Sequence, residues 1–431
     1  MRQLLLVLPS LLLACSSPNS ETTEQTVTVD SLADDSNFIY QRLAAQNNEL
    51  VDSVINQPGR YELQILYTQI DRDSANHPSF TSHYYGIDTN TYFYPASTVK
   101  MPIAFLALEK INELSIEGLT KETSLRIDSA YDGQTQVEVD STAESGKPSV
   151  AQYVRKIFVV SDNDAYNRLY EFLGQDYIND KLLAKGYENM KIVHRLSVFN
   201  TVAQNQHTNP ISFYDDAKVV YKQDLISTAR SYDLNVTGTK KGKGYMLNDT
   251  LVNEPKDFGE NNTLSVRILQ DMLKSIIFPE AVPEAQRFNL TDDDYRFLYR
   301  YMSQLPRETT YPDYEADTTE NYYDSYSKFF LFGDSQEPIT DNVRIFNKIG
   351  MAYGYLIDNA YVVDFDNNVE FLLTAVIHVN DNQIFNDDQY EYDEVGFPFL
   401  AELGRAVLAY ERQRERSNAP DLSKFRVEYD R

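Results

Sequence analysis

The segment YFYPASTVKMPIAFLALEKI, residues 92–111, places a serine three residues before a lysine at the start of an apolar run. Residues 98–114 are apolar almost all round a helix, which predicts a helix buried in the middle of a domain, with Pro102 tolerated near its start. Residues i and i+3 share a helix face, so the Lys100 amine can reach the Ser97 hydroxyl. Burial lowers the pKa of a lysine, so Lys100 could be neutral and remove the serine proton.

The spacing of this pair does not by itself identify an active site. The tetrapeptide SYSK has the same spacing at Ser325 and Lys328, in a polar and acidic stretch that is predicted to be a loop. Only Ser97 lies at the start of a buried helix, where free backbone N–H groups favour developing negative charge. The rest of the chain must decide between catalysis and coincidence.

A second polar motif, Ser161-Asp162-Asn163, interrupts two segments that are predicted to be helical, 149–160 and 163–172. Serine, aspartate and asparagine are preferred helix caps, so capping explains this local sequence adequately. In a catalytic interpretation, Ser161 is a second hydroxyl that relays a proton to the leaving group, and Asn163 holds a substrate amide.

A third motif, Lys348-Ile349-Gly350, lies on a predicted strand. A lysine on a strand is usually solvated, whereas a neighbouring glycine lets a ligand approach the backbone closely. By itself this motif, near the end of the chain, does not indicate a functional site. It does so only together with the other two motifs.

In this order, Ser-x-x-Lys, Ser-Asp-Asn and Lys-x-Gly make up the signature set of the penicillin-recognising serine enzymes. The sequence resembles the class A β-lactamase-like serine hydrolases along the whole of residues 92–111 and in the order of its elements, over most of residues 37–412. The second motif follows Ser97 at about the family's usual interval. The third follows much later than usual, which agrees with two inserted-looking stretches at about 222–262 and 307–342.

The resemblance implies roles for seven residues. The catalytic residues would be Ser97 as the acylated nucleophile, Lys100 as its general base and Ser161 as a proton shuttle. The substrate-binding residues would be Asn163, Lys348, Gly350 and Met351. Lys348 would also assist the shuttle, and the backbone N–H groups of Ser97 and Met351 would form the oxyanion hole.

The sequence departs from the family pattern at two places. Ile349 replaces the usual threonine or serine and cannot donate a hydrogen bond to a substrate carboxylate. In the loop after the second motif, Arg195 fits the family arginine, but Ser197 occupies the position of the glutamate that activates water, and no acidic residue lies between Glu188 and Asp215. Deacylation should therefore be slow unless Lys100 or an inserted loop supplies a base.

The order of predicted elements indicates one α/β-type (α+β) domain over residues 37–425, similar to the β-lactamase/DD-peptidase fold that the resemblance implies. Its antiparallel sheet would come from both chain ends, around a helical middle subdomain. The predicted helices span 37–55, 264–277, 291–302 and 395–412, besides those described above. The predicted strands span 61–71, 79–88, 343–349, 354–363 and 369–379.

The composition excludes several function classes. The formal net charge is −26, and such a field repels nucleic acid and anionic lipid surfaces, so neither is an expected partner. The five histidines show no metal-ligand spacing, and no phosphate-binding glycine loop is present. We therefore expect no metal and no cofactor.

The start of the chain predicts export and a lipid anchor. Residues 4–13 form an apolar run that is too short to span a membrane, and the positively charged Arg2 precedes it. Leu-Leu-Ala-Cys at 12–15 resembles the bacterial lipobox, which predicts a lipoprotein signal peptide at 1–14 and lipidation of Cys15, the only cysteine. An ordinary secretory signal with an unrelated cysteine is the alternative. Polar, acidic residues at 15–36 predict a flexible tether.

Together these features predict a monomeric serine hydrolase in the bacterial cell envelope, anchored to the membrane through lipid on Cys15 and facing the periplasm or the cell exterior. It would form an acyl-enzyme on Ser97 with a small-molecule β-lactam or a peptidoglycan-type amide. Two alternatives stay open. One is a catalytically inactive homologue that binds cell-wall fragments or a partner protein, and the other is a DD-peptidase or esterase with the same residues.

Overall fold

The computed structural model describes residues 36–431. The predicted signal peptide, the lipidation site Cys15 and nearly all of the predicted tether lie outside the described residues. The helices are α1 Ser36–Ala44, α2 Glu49–Ile55, α3 Lys100–Leu114, α4 Val150–Val160, α5 Asn163–Leu173, α6 Gln175–Ala184, α7 Val202–Asn205, α8 Val266–Ile277, α9 Asp292–Ser303 and α10 Phe397–Gln413. The strands are β1 Gln64–Arg72, β2 Pro78–Tyr85, β3 Ser124–Ile127, β4 Ile211–Asp215, β5 Lys218–Gln223, β6 Lys240–Lys241, β7 Gly244–Leu247, β8 Thr250–Val252, β9 Lys256–Asp257, β10 Val343–Ala352, β11 Tyr355–Asp364, β12 Val369–His378 and β13 Ile384–Phe385.

The central sheet has the strand order β10-β11-β12-β1-β2, and every neighbouring pair in it is antiparallel. Strand β1 pairs directly with β12, with Tyr67 opposite Leu373. The prediction of an α/β-type domain with an antiparallel sheet from both ends of the chain is therefore confirmed. Strand β10, which carries Lys348, is an edge strand of this sheet.

Successive residues of the central strands alternate between two apolar cores. Ile357 and Tyr361 belong to the core around α3, whereas Leu356 and Val362 belong to the core with α1, α2 and α10. Because both faces of the sheet are covered, β11 is buried along its whole length. The sheet therefore separates the two cores.

The predicted helical middle is also confirmed. Helix α3 is buried from Lys100 to Ile111 and begins directly after a 3-10 turn at Ala96–Val99. Helices α4 and α5 lie on either side of the second motif, and Gly174 ends α5 as predicted. The helix predicted from Thr291 is α9, for which Thr291 is the N-cap residue.

The prediction of one helix over 37–55 is wrong, because the chain breaks into α1 and α2. Asn47 has a left-handed backbone with φ of 51°, and the Asn48 side chain caps α2 by accepting hydrogen bonds from the backbone N–H groups of Leu50 and Val51. Leu43 and Val54 both pack into the same core, which explains why the apolar period continues across the break. Helix α6 had no counterpart among the predicted elements.

The two inserted stretches form different structures. The first contains β6 to β9, of which β7 pairs with β8 and also, in parallel, with β13. The second forms 3-10 turns, and its SYSK segment is buried rather than an open loop. Lys328 donates hydrogen bonds to the carbonyl oxygen of Met302 and to Asn347 Oδ1, which explains how a lysine is accommodated there.

No helix within residues 36–431 combines the length and the apolar character that a membrane crossing requires. Among the same residues, no group of three or more His, Cys, Asp or Glu side chains is arranged to hold a metal ion.

Candidate active site

Ser97 lies in the second position of the 3-10 turn that leads into α3. Pro95 begins this turn, and its carbonyl oxygen accepts hydrogen bonds from Thr98 N and from Thr98 Oγ1, the latter at 2.6 Å. Ala96 adopts a left-handed backbone with φ of 46°, a conformation that is costly for a residue with a Cβ atom. The turn leaves the Ser97 side chain partly exposed in a cleft.

Lys100 is completely buried, one helical turn after Ser97. Its Nζ donates hydrogen bonds to the carbonyl oxygen of Ser161, to Asn163 Oδ1 at 2.7 Å and to Ser161 Oγ at 3.3 Å. Burial lowers the pKa of Lys100 to about 7, although the charge of Asp162 opposes this shift. At neutral pH a large fraction of this amine is therefore neutral and able to accept a proton.

Within the second motif, Asp162 caps a helix, whereas Ser161 and Asn163 bond to Lys100. Asp162 Oδ1 accepts the hydrogen bond from Ala165 N at 2.7 Å and is the cap of α5. Ser161 ends α4 with a left-handed backbone, φ of 61°. This conformation brings both its carbonyl oxygen and its hydroxyl within reach of Lys100.

Lys348 is only 2% exposed, so the usual solvated position of a strand lysine does not apply here. Its Nζ donates hydrogen bonds to Ser161 Oγ at 2.8 Å and to the carbonyl oxygen of Ile349 at 2.9 Å. Burial, and then the nearby charge of Lys100, lower the pKa of Lys348 well below its ordinary value. The Ser161 hydroxyl thus joins two lysines whose ammonium forms are both destabilised.

Gly350 lets β10 lie against the Ser97 turn. A Cβ atom at position 350 would lie 2.9 Å from the carbonyl oxygen of Pro95, 3.1 Å from Thr98 Cγ2 and 3.2 Å from Ala96 Cβ. The next residue, Met351, is 47% exposed and lines the cleft with Ser97. The preceding residue, Ile349, packs into the core with α10 and offers no hydrogen-bond donor to the cleft.

The structure brings Ser97, Asn163 and Met351 to one cleft of 490 Å³. Lys100, Ser161 and Lys348 form the hydrogen-bonded group behind it, and Gly350 packs beside Ser97. Within the described residues, no hydrogen bond joins Ser97 Oγ to Lys100 Nζ. Ser325 and Lys328 take no part in the cleft, and Ser325 Oγ donates its hydrogen bond to the carbonyl oxygen of Ser335.

The loop after the second motif reaches the cleft through Ser197, not through a carboxylate. Ser197 has a left-handed backbone with φ of 54° and lines both the Ser97 cleft and an adjoining cleft of 830 Å³. Arg195 is buried, and its Nε donates to Glu171 Oε1 at 2.9 Å. The nearby Arg168 bonds the other oxygen of Glu171 at 3.0 Å, so this carboxylate is held by two arginines.

Several residues of the cleft were not anticipated from the sequence. The segment after β13 contributes Asn386, Asp388, Tyr390 and Tyr392, and the β10–β11 turn contributes Tyr353. The first insertion contributes Met246–Asp249 and Glu260 to the adjoining cleft. No motif or period signals these positions, because only the folded chain brings residues near 390 next to Ser97.

One comparison with known proteins identifies a family. A model of the beta-lactamase enzyme family matches residues 48–410. No curated protein matches the chain.

Solved structures that are similar to the chain include three β-lactamases. The enzyme from Desulfarculus baarsii is 14% identical, with a TM-score of 0.46, over 87% of this chain and 98% of that one. An ancestral class A β-lactamase is 14% identical, with a TM-score of 0.46, over 84% and 100%. The enzyme from Xanthomonas campestris is 13% identical, with a TM-score of 0.45, over 86% and 97%.

Proposed function

The chain belongs to the beta-lactamase enzyme family, and from this premise we propose that it is a serine hydrolase that forms an acyl-enzyme on Ser97. β-Lactams and peptidoglycan-type amides are the substrates that we propose. The observation that carries the proposal is the hydroxyl of Ser161, which accepts hydrogen bonds from Lys100 and Lys348 directly behind the Ser97 cleft.

The proposed acylation begins with proton transfer from Ser97 Oγ to neutral Lys100 Nζ. Ser97 Oγ then attacks the substrate carbonyl carbon, and the backbone N–H groups of Ser97 and Met351 hold the resulting oxyanion. Collapse of this intermediate breaks the bond between the carbonyl carbon and the leaving group. The leaving atom takes the proton of the Ser161 hydroxyl, and Lys100 passes to Ser161 the proton that it took from Ser97. Lys348 assists by its hydrogen bond to Ser161 Oγ, and the acyl group remains on Ser97 as an ester.

The proposed acyl-enzyme is long-lived. Ser197 occupies the expected place of the water-activating glutamate and carries no base, while Glu171 is held by Arg168 and Arg195. Hydrolysis of the Ser97 ester therefore lacks the loop carboxylate as general base, a role that usually contributes about 10²–10⁴-fold, unless Lys100 or an inserted loop supplies a base. Rapid steady-state hydrolysis of the chromogenic cephalosporin nitrocefin would contradict this part of the proposal.

Intact-mass spectrometry tests the proposal. The full chain is incubated with penicillins, cephalosporins, D-Ala-D-Ala peptides and activated esters, and its mass is followed over time. We expect the mass of one acyl group to be added and to persist. Ser97→Ala should prevent the addition, whereas Ser325→Ala, in the second Ser-x-x-Lys segment, should leave it unchanged. Absence of any adduct across the panel would refute the proposal.

One observation favours a second candidate, a catalytically inactive homologue that binds cell-wall fragments or a partner protein. Lys100 Nζ bonds to Ser161 and Asn163, and in the described part of the chain it forms no hydrogen bond to Ser97 Oγ. Non-covalent binding of muropeptides, without any mass addition from the same panel, would support this candidate over the hydrolase. Apo sites often have long catalytic hydrogen bonds, so we retain the hydrolase as the first proposal.

A further inference from the structure

Aromatic rings form much of the wall of the Ser97 cleft. Four of its lining residues are tyrosines, namely Tyr94, Tyr353, Tyr390 and Tyr392. The rings of Tyr94 and Tyr353 are 4.9 Å apart and nearly perpendicular, and those of Tyr390 and Tyr392 are 5.4 Å apart. Tyrosine rings attract cations that lie over their faces.

The backbone fixes two of these rings. Tyr390 Oη accepts a hydrogen bond from Asn386 N at 2.9 Å, and Tyr392 Oη accepts one from Gly354 N at 2.8 Å. The rings are therefore held in place before any ligand arrives, which reduces the entropy lost on binding.

Of the described residues that line the Ser97 cleft, Asp388 is the one with a carboxylate. Among the described residues, its side chain has no ion pair and no hydrogen bond. Asp388 lines the same cleft as Tyr390 and Tyr392, two and four residues further along the chain. The adjoining cleft adds two more carboxylates, Asp249 and Glu260.

Few positively charged side chains line the two clefts in the described part of the chain. No lysine or arginine lines the Ser97 cleft. In the adjoining cleft, Arg195 is paired with Glu171, and burial lowers the pKa of His194. Lys256 lies with its Nζ 5.5 Å from the centre of the Tyr353 ring but lines neither cleft. Among the described residues that line the two clefts, three carboxylates, Asp249, Glu260 and Asp388, therefore stand against one guanidinium, that of Arg195.

We propose that the Ser97 cleft contains a subsite for an ammonium group of the acyl donor, formed by Asp388 and the rings of Tyr353, Tyr390 and Tyr392. The proposal rests on the proposed function only in taking the ligand to be an acyl donor. It identifies the preferred substrates as esters or amides that carry a free amine. It also agrees with Ile349, which offers no donor for a carboxylate.

Equilibrium binding of three unreactive compounds tests the subsite without requiring acylation. Benzylammonium, benzyl alcohol and benzoate share one ring and differ in charge, and their affinities for the full chain are measured by NMR titration. We expect benzylammonium to bind roughly three- to tenfold more tightly than benzyl alcohol, from one carboxylate and the ring faces. Benzoate should bind most weakly. Equal affinities for benzylammonium and benzyl alcohol would overturn the proposal.

Asp388→Asn should reduce the preference for benzylammonium to the part that the ring faces supply. Asp393→Asn is the matched control, because it removes the same charge from an exposed carboxylate that does not line the cleft. An undiminished preference in Asp388→Asn, or an equal fall in both variants, would overturn the assignment. The assignment would also be overturned if Asp388→Asn kept the full preference and only slowed the release of acyl groups. Asp388 would then be a hydrolytic base.

Acylation rates separate this proposal from the proposed function. The p-nitrophenyl esters of glycine, N-acetylglycine and N-succinylglycine carry an ammonium, a neutral amide and a carboxylate, respectively. The wild-type protein should be acylated about three- to tenfold faster than Asp388→Asn by the glycine ester. It should be acylated more slowly than Asp388→Asn by the N-succinylglycine ester. If no ester acylates Ser97 while benzylammonium still binds, the hydrolase proposal fails and the ammonium subsite stands.

Discussion

At the scale of single residues, burial of Lys100 sets the proton balance of the proposed reaction. Its pKa is lowered to about 7, and the general base must be unprotonated to take the proton from Ser97. Protonation below this pH inactivates the base, so the acylation rate should rise as the pH increases through about 7 and level off above it. Rates of labelling by an activated ester between pH 5 and pH 9 measure this profile.

Variants at two buried lysines test whether the pH profile reports the protonation of Lys100. Lys100→Ala should lower the acylation rate by about 10²–10⁴-fold and remove the rise near pH 7. Lys110→Met is the control, because burial also lowers the pKa of Lys110 to about 7, but its Nζ bonds to Phe172 O and Gln223 Oε1, away from the cleft. A flat profile in the wild-type protein would contradict the role of Lys100.

The contact between Gly350 and the Ser97 turn gives a second prediction at this scale. Gly350→Ala places a Cβ atom 2.9 Å from Pro95 O, so β10 or the turn must move. We expect a loss of about 1–3 kcal/mol in the free energy of unfolding, together with slower acylation. Urea denaturation and ester labelling measure the two effects.

Gly59→Ala is the control for that substitution, since no atom lies within 4 Å of the Cβ position there. The control should match the wild-type protein in both measurements. Wild-type stability and acylation in Gly350→Ala would show that the close approach of β10 does not position Ser97.

At the scale of elements, the second insertion is attached to the sheet through a buried carboxylate. Asp358 Oδ2 accepts hydrogen bonds from Phe329 N at 3.0 Å and Phe330 N at 3.1 Å, and Asp358 Oδ1 accepts one from Asn347 Nδ2 at 2.8 Å. Asn347 in turn accepts from Lys328. Asp358→Asn should therefore destabilise the fold by about 3–5 kcal/mol, because it removes the buried carboxylate whose charge favours the ammonium form of Lys328.

Chemical denaturation measures this destabilisation. Asp366→Asn, in the exposed turn between β11 and β12, is the matched control and should change the free energy of unfolding by less than about 0.5 kcal/mol. Similar values for the two variants would show that the network does not hold the insertion in place.

The elements that the sequence predicted well are those that are buried on all sides. Helix α3 and strands β10 to β12 are buried almost throughout, and their apolar runs gave their positions. The apolar pattern did not reveal the break between α1 and α2, because both helices pack on one core and the pattern continues across it. The Asn47-Asn48 pair was the local signal, since asparagine tolerates a left-handed backbone and caps helices.

The burial of the SYSK segment was not predicted, for a different reason. Its neighbours are polar and acidic, and such a composition is typical of exposed loops. Burial of Lys328 depends on Met302 O and Asn347 Oδ1, which come from distant parts of the chain. Long-range hydrogen bonds of this kind leave no period in the local sequence.

At the scale of the whole molecule, the three motifs predicted which residues come together. They did not predict the residues that form the walls of the cleft. Ser97, Ser161 and Lys348 lie far apart in sequence, and their order was sufficient to group them. Asp388 and Tyr390 belong to an acidic, tyrosine-containing stretch without a motif, so only the path of the chain after β13 reveals their position beside Ser97.

The proposed location of the whole molecule depends on Cys15. With its complete sequence, the protein expressed in a bacterium should sediment with membranes, because lipid on this cysteine would anchor it. Cys15→Ser should move it to the soluble fraction, whereas Ser16→Ala should leave it with the membranes. Membrane sedimentation of Cys15→Ser equal to that of the wild-type protein would contradict the lipid anchor.

The central claim is a covalent acyl group on Ser97, and peptide mapping by mass spectrometry tests it most directly. The full chain is treated with a penicillin, a cephalosporin and an activated ester, digested, and fragmented to locate any added mass. We predict that the acyl mass lies on Ser97 and is absent from Ser161 and Ser325. An adduct on another residue, or no adduct with any reagent, would contradict the claim.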